Sequence, residues 1–409
     1  MLPLMNSFRP LSDHVRALRE SGGTSLIGRS EEWLRLIETG QLQLDRIRIV
    51  IRLAYILRIN DLRELIDWPS DHILLPEAPR IDTQNFVRAV LTQPVAGTGT
   101  DLRPGTSHDE LRSLMERCAR TWAQSPSRYS LLMSTLPRAL ATSWLAFLSA
   151  PDPELGAPTA RIHMIGSHFL RRVGLSWLAC VVGDRAICVG NYLQRTTLAA
   201  AGAWHVGHAL ILLGLPTRAC DHLAAAIDRL ESETSDDPDR TILRGALQLV
   251  QALGATAAGD LPAARQLVSQ AAGPASELAA DQSAWGIAFG PSEYRLAQLE
   301  LALEGGDFDE ATKLAGHLEA PSECAIADQA AYHLKVAYAF ARRNNDIAAT
   351  FALTKAAALS AEELHYSPYG RSALEHLIRH DNQLVKDDIA RLIRNLNAAA
   401  NPPTPRANW

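Results

Sequence analysis

Lysine is almost missing from this 409-residue chain: it occurs four times, at Lys313, Lys335, Lys355 and Lys386, so Arg supplies nearly all of the 40 basic residues. With 45 acidic residues and a formal net charge of −5, the chain has no whole-protein basic footprint for nucleic acid. Aromatic residues are scarce at 6%, and short β-branched runs between turn signals are nearly absent, which excludes a sheet-built core. The cysteines are Cys118, Cys180, Cys188, Cys220 and Cys324, an odd number without a Cys-x-x-Cys pair. That spacing argues against a disulfide framework or a zinc site and for buried free thiols. The longest apolar run, around Val173–Val182, falls short of the ~20 residues a bilayer span needs. No charged-then-apolar leader opens the chain, so the expectation is a cytoplasmic protein without a membrane partner. Phosphate-binding glycine loops, a Gly-x-Ser-x-Gly elbow and a His-Glu-x-x-His helix are all lacking. The reading is therefore a binding protein, not an enzyme, with no cofactor and no metal.

What is present is helix. Hydrophobic residues make up 47% of the chain, with Ala and Leu prominent, and both favour helices. Ser30 caps a segment with Glu31 and Glu32 in its first turn and Gly40 at its exit. Residues 1–68 read as one small helical unit and 69–108 as a linker rich in Pro, Gly and Thr. Residues 109–400 read as an array of helix pairs, and the Pro-rich 401–409 as a disordered tail.

Within the array, tight turns recur at Gly174, Gly214, Gly259, Gly306 and Asn345, 40, 45, 47 and 39 residues apart. Five positions after each stands a small residue: Ala179, Ala219, Ala264, Ala311 and Thr350. A small side chain there lets the second helix of a hairpin lie close to the first. The fold class is all-α: a small head followed by an α-solenoid of helix pairs similar to tetratricopeptide (TPR) repeats, with periods longer than the usual ~34 residues.

Two resemblances rest on particular residues. Glu32-Trp33-Leu34-Arg35-Leu36-Ile37-Glu38-Thr39-Gly40 resembles the recognition helix and exit of lambda-repressor-like (Xre-type) helix-turn-helix domains. Arg52–Leu57 followed by Asp61–Leu65 is similar to the closing helices of that family. Only Ser21–Arg29 separates Glu20 from Ser30, so the family's second helix is shortened here. Over about residues 110–380 the chain resembles actinobacterial Xre-type regulators with C-terminal TPR domains. The matching pieces are Ser127-Arg128-Tyr129, Leu136-Pro137, Arg171–Gly174, Asp184-Arg185-Ala186, Phe289-Gly290-Pro291 and Leu359–Glu363.

The resemblance implies a homodimeric transcriptional regulator that binds DNA through the head and senses a peptide, small molecule or protein in the TPR groove. The DNA-facing candidates are Arg29, Ser30, Glu31, Trp33, Arg35, Arg46 and Arg48, in a stretch with a local net charge of +2 between Arg29 and Arg58. The ligand-facing candidates are Arg172, Trp204, His208, Trp285, Phe289, Glu293 and Tyr294. Pro291 is expected to break a helix and expose the neighbouring aromatics. Glu293, an acceptor, points to a cationic ligand. His205 and His208 read as a histidine pair packed on Trp204, and Asp184-Arg185 as an ion pair. The alternative function is a protein-docking module whose head is a relic used for docking or dimerisation.

Overall fold

The computed structural model describes Arg35 and residues 82–91, 107–233, 237–317 and 325–400. The chain divides into two compact units, Met1–Leu74 and Leu75–Trp409. In the first, Arg35 is helical and exposed. The other DNA-facing candidates, Arg29, Ser30, Glu31, Trp33, Arg46 and Arg48, lie outside the described residues, as does the tail from 401 on.

The second unit is all-α, with sixteen described helices packed pairwise in sequence. Helix α1 (Thr83–Leu91) falls inside the stretch read as linker, with Phe86 and Val90 fully buried. Phe86 stacks on Phe169 at 5.4 Å, so these residues belong to the array's core. Helix α2 (His108–Gln124) starts on a capping box in which Ser107 and Glu110 satisfy each other's backbone N–H groups. Then follow α3 (Arg128–Ser149), α4 (Pro153–Arg172), α5 (Ser176–Tyr192), α6 (Thr196–Leu212), α7 (Pro216–Ser232), α8 (Asp239–Ala258) and α9 (Leu261–Glu277). By length and hydropathy α3 alone among the described helices could cross a bilayer. Here it packs inside the array, with Leu132, Leu136, Leu140 and Phe147 buried.

The corners between these helices share one chemistry. At Gly174, Gln194, Gly214, Gly259, Gly306 and Asn344 the backbone turns left-handed. The next residue's N–H reaches back five positions, as from Leu175 to Leu170 O (2.8 Å), Arg195 to Gly190 O (2.9 Å) and Asn345 to Phe340 O (3.0 Å). This is the Schellman ending, which satisfies carbonyls that a helix end leaves free. The last corner therefore sits at Asn344, one residue earlier than the sequence suggests, and Asn345 instead caps the next helix through Ala348 N (3.2 Å). The Gln194 corner was missed because Gln carries no turn signature. With both corrected, the residue five positions on is Ala in every case: Ala179, Ala199, Ala219, Ala264, Ala311 and Ala349, all buried. The closest approach of one helix backbone to another is at Gly190, where a Cβ would stand 2.5 Å from the backbone N of Ala199.

After α9 the pattern is interrupted by an antiparallel hairpin, β1 (Gln282–Ala284) and β2 (Ile287–Phe289), with Ala284 paired to Ile287. Trp285 and Gly286 form its two-residue turn, both at positive φ, the geometry that suits the twist of a tight hairpin. The sequence reading contained no strand here. Pro291 does not break a helix either. It is the first residue of α10 (Pro291–Gly305), where its missing N–H costs nothing.

The chain continues as α11 (Phe308–His317), α12 (Ile326–Arg342), α13 (Asp346–Leu359), α14 (Ala361–Tyr366), α15 (Pro368–His380) and α16 (Lys386–Ala400). Alternate helices α2, α4, α6, α8, α10 and α12 touch in succession, and α12 comes back to touch α2. The succession of alternate helices in this unit thus returns to its start.

Candidate functional site

Closure is made by acidic side chains on one short helix. Ser360 caps α14 by accepting from Glu363 N (3.3 Å) and donates its hydroxyl to Pro126 O (2.7 Å). Glu362 then lies at the start of α3. Its carboxylate accepts from Tyr129 N (2.9 Å), from Ser130 N (3.3 Å) and from the Ser130 hydroxyl. A helix N-terminus has unpaired N–H groups and a positive dipole end, so a carboxylate arriving from 232 residues away serves as its cap. Glu363, buried, accepts from Arg128 and from Tyr129 Oη (2.8 Å) and pairs with Arg172. Tyr129 also packs against Tyr366, the rings tilted with centroids 4.3 Å apart.

Polar and aromatic side chains from α4, α6, α10 and α12 converge. Trp204 lies between His208 (4.3 Å) and His168 (6.1 Å), with the Arg171 guanidinium 5.7 Å from its ring. Trp122 of α2 covers the other side of His168 at 4.8 Å. Lys335 Nζ pairs with Glu300 at 2.9 Å, and Tyr369 donates to Glu304 (2.7 Å). Charges from different helices feel one another here. Arg172 and Lys335 act on Asp328, Lys335 on His208 and Glu293, and Glu300 on Arg171.

His168, Arg171, Trp204, His208, Glu293, Asp328 and Lys335 all keep part of their surface accessible. Yet desolvation by surrounding protein is the largest influence on every shifted group among them. These side chains are thus surrounded by protein while keeping some contact with solvent.

That environment sets protonation. Burial, reinforced by Arg171 and neighbouring histidines, holds His168 and His208 well below the ordinary histidine range, so both are neutral. Burial lowers Arg171 to about 9. Burial, with Asp328 nearby, raises Glu293 to about 8. Asp328 is raised as well, again by burial first. At neutral pH Glu293 is therefore biased toward its protonated form, in which it can donate. Two interior polar groups stand without hydrogen-bond partners: the Arg171 Nε and both ring nitrogens of buried His205.

Of the ligand-facing candidates, the structure brings Arg172, Trp204, His208 and Glu293 to this interior. Phe289 is not there: it is fully buried, pressed against Gly245, and fills core. Trp285 sits at the hairpin turn, its carbonyl accepting from Arg161 and its ring under Arg195 at 4.9 Å. Tyr294 is half-buried against the core, its Oη accepting from Gln298 (3.4 Å). Among the described residues Asp184 and Arg185 form no ion pair. Arg185 is buried, donating to Val90 O and lying 4.6 Å from the Trp144 ring. Among the described residues no third ligating group joins His205 and His208. The thiols are free, but Cys188 is exposed and only Cys118 fully buried, while Cys324 lies outside the described residues. The sequence reading missed Asp328, Lys335, Glu300 and the Glu362–Glu363 closure. Only the acidic pair after Ser360 carried a legible signal, that of a helix start.

No family model matches the chain, and no curated protein matches it.

Proposed function

We propose that residues 109–400 form a TPR-like sensor domain that encloses a small ligand, and that the lambda-repressor-like head at 1–68 carries its output to DNA as a homodimeric transcriptional regulator. One observation supports the sensor reading above the rest: Arg171, held over Trp204 beside neutral histidines, has an unpartnered Nε in largely desolvated surroundings. A desolvated cation without a hydrogen-bonded counter-ion is costly, and a ligand anion compensates it. Glu293 and Asp328 are biased toward their neutral forms, and Glu300 and Glu363 are taken up by Lys335 and Arg172, so none of these carboxylates is hydrogen-bonded to Arg171. The ligand class is a small molecule or short peptide with a carboxylate or phosphate for Arg171 and an apolar part for Trp204.

The test has two arms. Thermal-shift screening of the full chain against short peptides, carboxylates and phosphate esters should give a stabiliser whose effect is lost in Arg171→Gln. Polarisation with duplexes from the gene's own upstream region should show salt-dependent binding that the stabiliser alters. No stabiliser refutes the sensor, and no DNA binding at low salt refutes the output. The second reading, a protein-docking module, draws support from the exposed apolar side chains Trp177, Val181, Tyr192, Leu212 and Leu215. It gains if the head can be deleted without loss of function.

A further inference from the structure

Away from this cluster, where α13 begins and α15 ends, three side chains meet whose chemistry the sensor does not use. Asp346, His376 and His380 each offer one ligating atom, and those atoms lie within 4.8 Å of one another. His376 and His380 are one helical turn apart on α15, the spacing that lets two imidazoles reach one ion. Asp346 comes from the first turn of α13, thirty residues earlier in the chain, just after the Asn344 corner.

A second observation points to a missing partner. Asp346 is buried, with 4% of its surface exposed, and its Oδ1 has no hydrogen-bond partner. Its Oδ2 accepts from His380 Nδ1 (2.9 Å) and from Asn382 Nδ2 (2.9 Å). A buried carboxylate oxygen left bare loses the solvation it had in water and gains nothing in return. A cation at this point would supply the interaction.

The surrounding residues are arranged as metal sites require. His376 Nε2 lies 3.0 Å from Asn344 Oδ1, so the Asn carbonyl fixes that ring and leaves its other nitrogen unprotonated as a donor. Asn382 orients the carboxylate. Asn344 holds a left-handed backbone (φ 58), as does Asp381 (φ 43) beside Asn382, so both supporting side chains are presented from tight corners. His380 is partly exposed and opens the cluster to solvent, which gives an ion a way in.

We infer that Asp346, His376 and His380 form a binding site for one divalent transition cation of the zinc type, pinning the start of α13 to the end of α15. Two imidazoles and a carboxylate are a borderline donor set that favours zinc over magnesium or calcium, which take oxygen ligands. When the cation takes the place of the hydrogen bond between His380 Nδ1 and Asp346 Oδ2, His380 ligates as the neutral imidazole with its one proton on Nε2. The site ties together two segments next to the closing helix α14, but it stands or falls independently of what the sensor binds.

The test is calorimetric titration of the untagged full chain with ZnCl2, with MgCl2 as control and Co(II) absorption as a reporter of tetrahedral nitrogen–oxygen ligation. Wild type should bind one zinc ion that the double variant His376→Ala/His380→Ala does not. Asn382→Ala should weaken the same site by about 10–100-fold. Because free cysteines elsewhere also bind zinc, the quantity read is the difference between wild type and double variant. Should the alanine variant fail to fold, His376→Gln/His380→Gln replaces it and the Co(II) spectrum of wild type is read alone. Equal zinc stoichiometry in wild type and variant overturns the assignment. So does a Co(II) spectrum that stays that of the hydrated ion.

Discussion

Arg128 and Glu363 stand 235 residues apart in sequence and are joined side chain to side chain in a site where neither has appreciable access to water. Removing two charges from solvent is expensive, and a buried pair seldom repays that cost in full; what it supplies is a single permitted arrangement. Here that arrangement is the meeting of α3 with α14. Glu363→Leu should cost about 3–5 kcal/mol, because Arg128 is left buried without its counter-charge. Arg128→Met/Glu363→Leu should recover much of that loss. Urea denaturation of wild type and the two variants checks this, and a double variant no better than the single one contradicts it.

Glu293 predicts a pH limb. Its carboxyl is raised from 4.5 to about 8 by burial, so between these values the folded chain holds a proton that the unfolded chain has released. Such a group contributes stability below about pH 4.5 that is lost progressively as pH rises to about 8. His163 acts in the opposite sense. Burial lowers it to about 3, so folding loses stability as pH falls below the ordinary histidine value of 6.5. Urea midpoints should therefore decline in wild type as pH rises from about 6.5 to 8, above the range where the lowered histidines oppose that slope, and decline less in Glu293→Gln. Parallel profiles would mean that Glu293 is hydrated and ordinary.

Phe289 and Gly245 are coupled through space. A Cβ on Gly245 would stand 2.0 Å from the Phe289 ring, too close for any rotamer to relieve cheaply. Gly245→Ala should cost about 1–3 kcal/mol from overpacking. Phe289→Ala should cost about 3–5 kcal/mol from the cavity it leaves. The double variant should cost clearly less than the two together, since the new methyl occupies part of that cavity. Additive losses in thermal or urea unfolding would show that the contact is relaxed in solution.

These variants also mark what the sequence made legible. Gly at a corner and Ala five positions later are local signals, because a left-handed ending and a close helix approach each restrict a single residue type, and both were readable at Gly174, Gly214, Gly259 and Gly306. Interior chemistry was less readable. His168, Asp328 and Lys335 do not share one helix, and only the packing of helices brings them together. Phe289 reads as a ligand contact in the sequence only because Pro291 is expected to break a helix and expose the aromatics beside it. Whether such a ring is exposed or meets a glycine on α8 is decided by a hairpin whose Trp-Gly turn lacks the usual Asn-Gly or Asp-Gly signature.

Gln194 gives the cleanest test of the corner argument. It adopts φ 54 in the same Schellman ending that Gly fills at Gly174 and Gly214, with Gln194 N donating to Asn191 O at 3.1 Å and Arg195 N to Gly190 O at 2.9 Å. A side chain in the left-handed region costs about 1–2 kcal/mol. Gly removes that cost but adds about 0.5–1 kcal/mol of unfolded-state entropy. Gln194→Gly should therefore stabilise the chain by up to about 1 kcal/mol. Asn344, at the equivalent corner with φ 58, should behave differently. Asn tolerates the left-handed region at little cost, and its Oδ1 is also the partner of His376. Asn344→Gly should be neutral or destabilising. Melting temperatures of the two variants decide the matter: if both rise equally, the side chain at residue 344 contributes nothing beyond filling a corner, and if Gln194→Gly falls, strain at that ending is not what limits it.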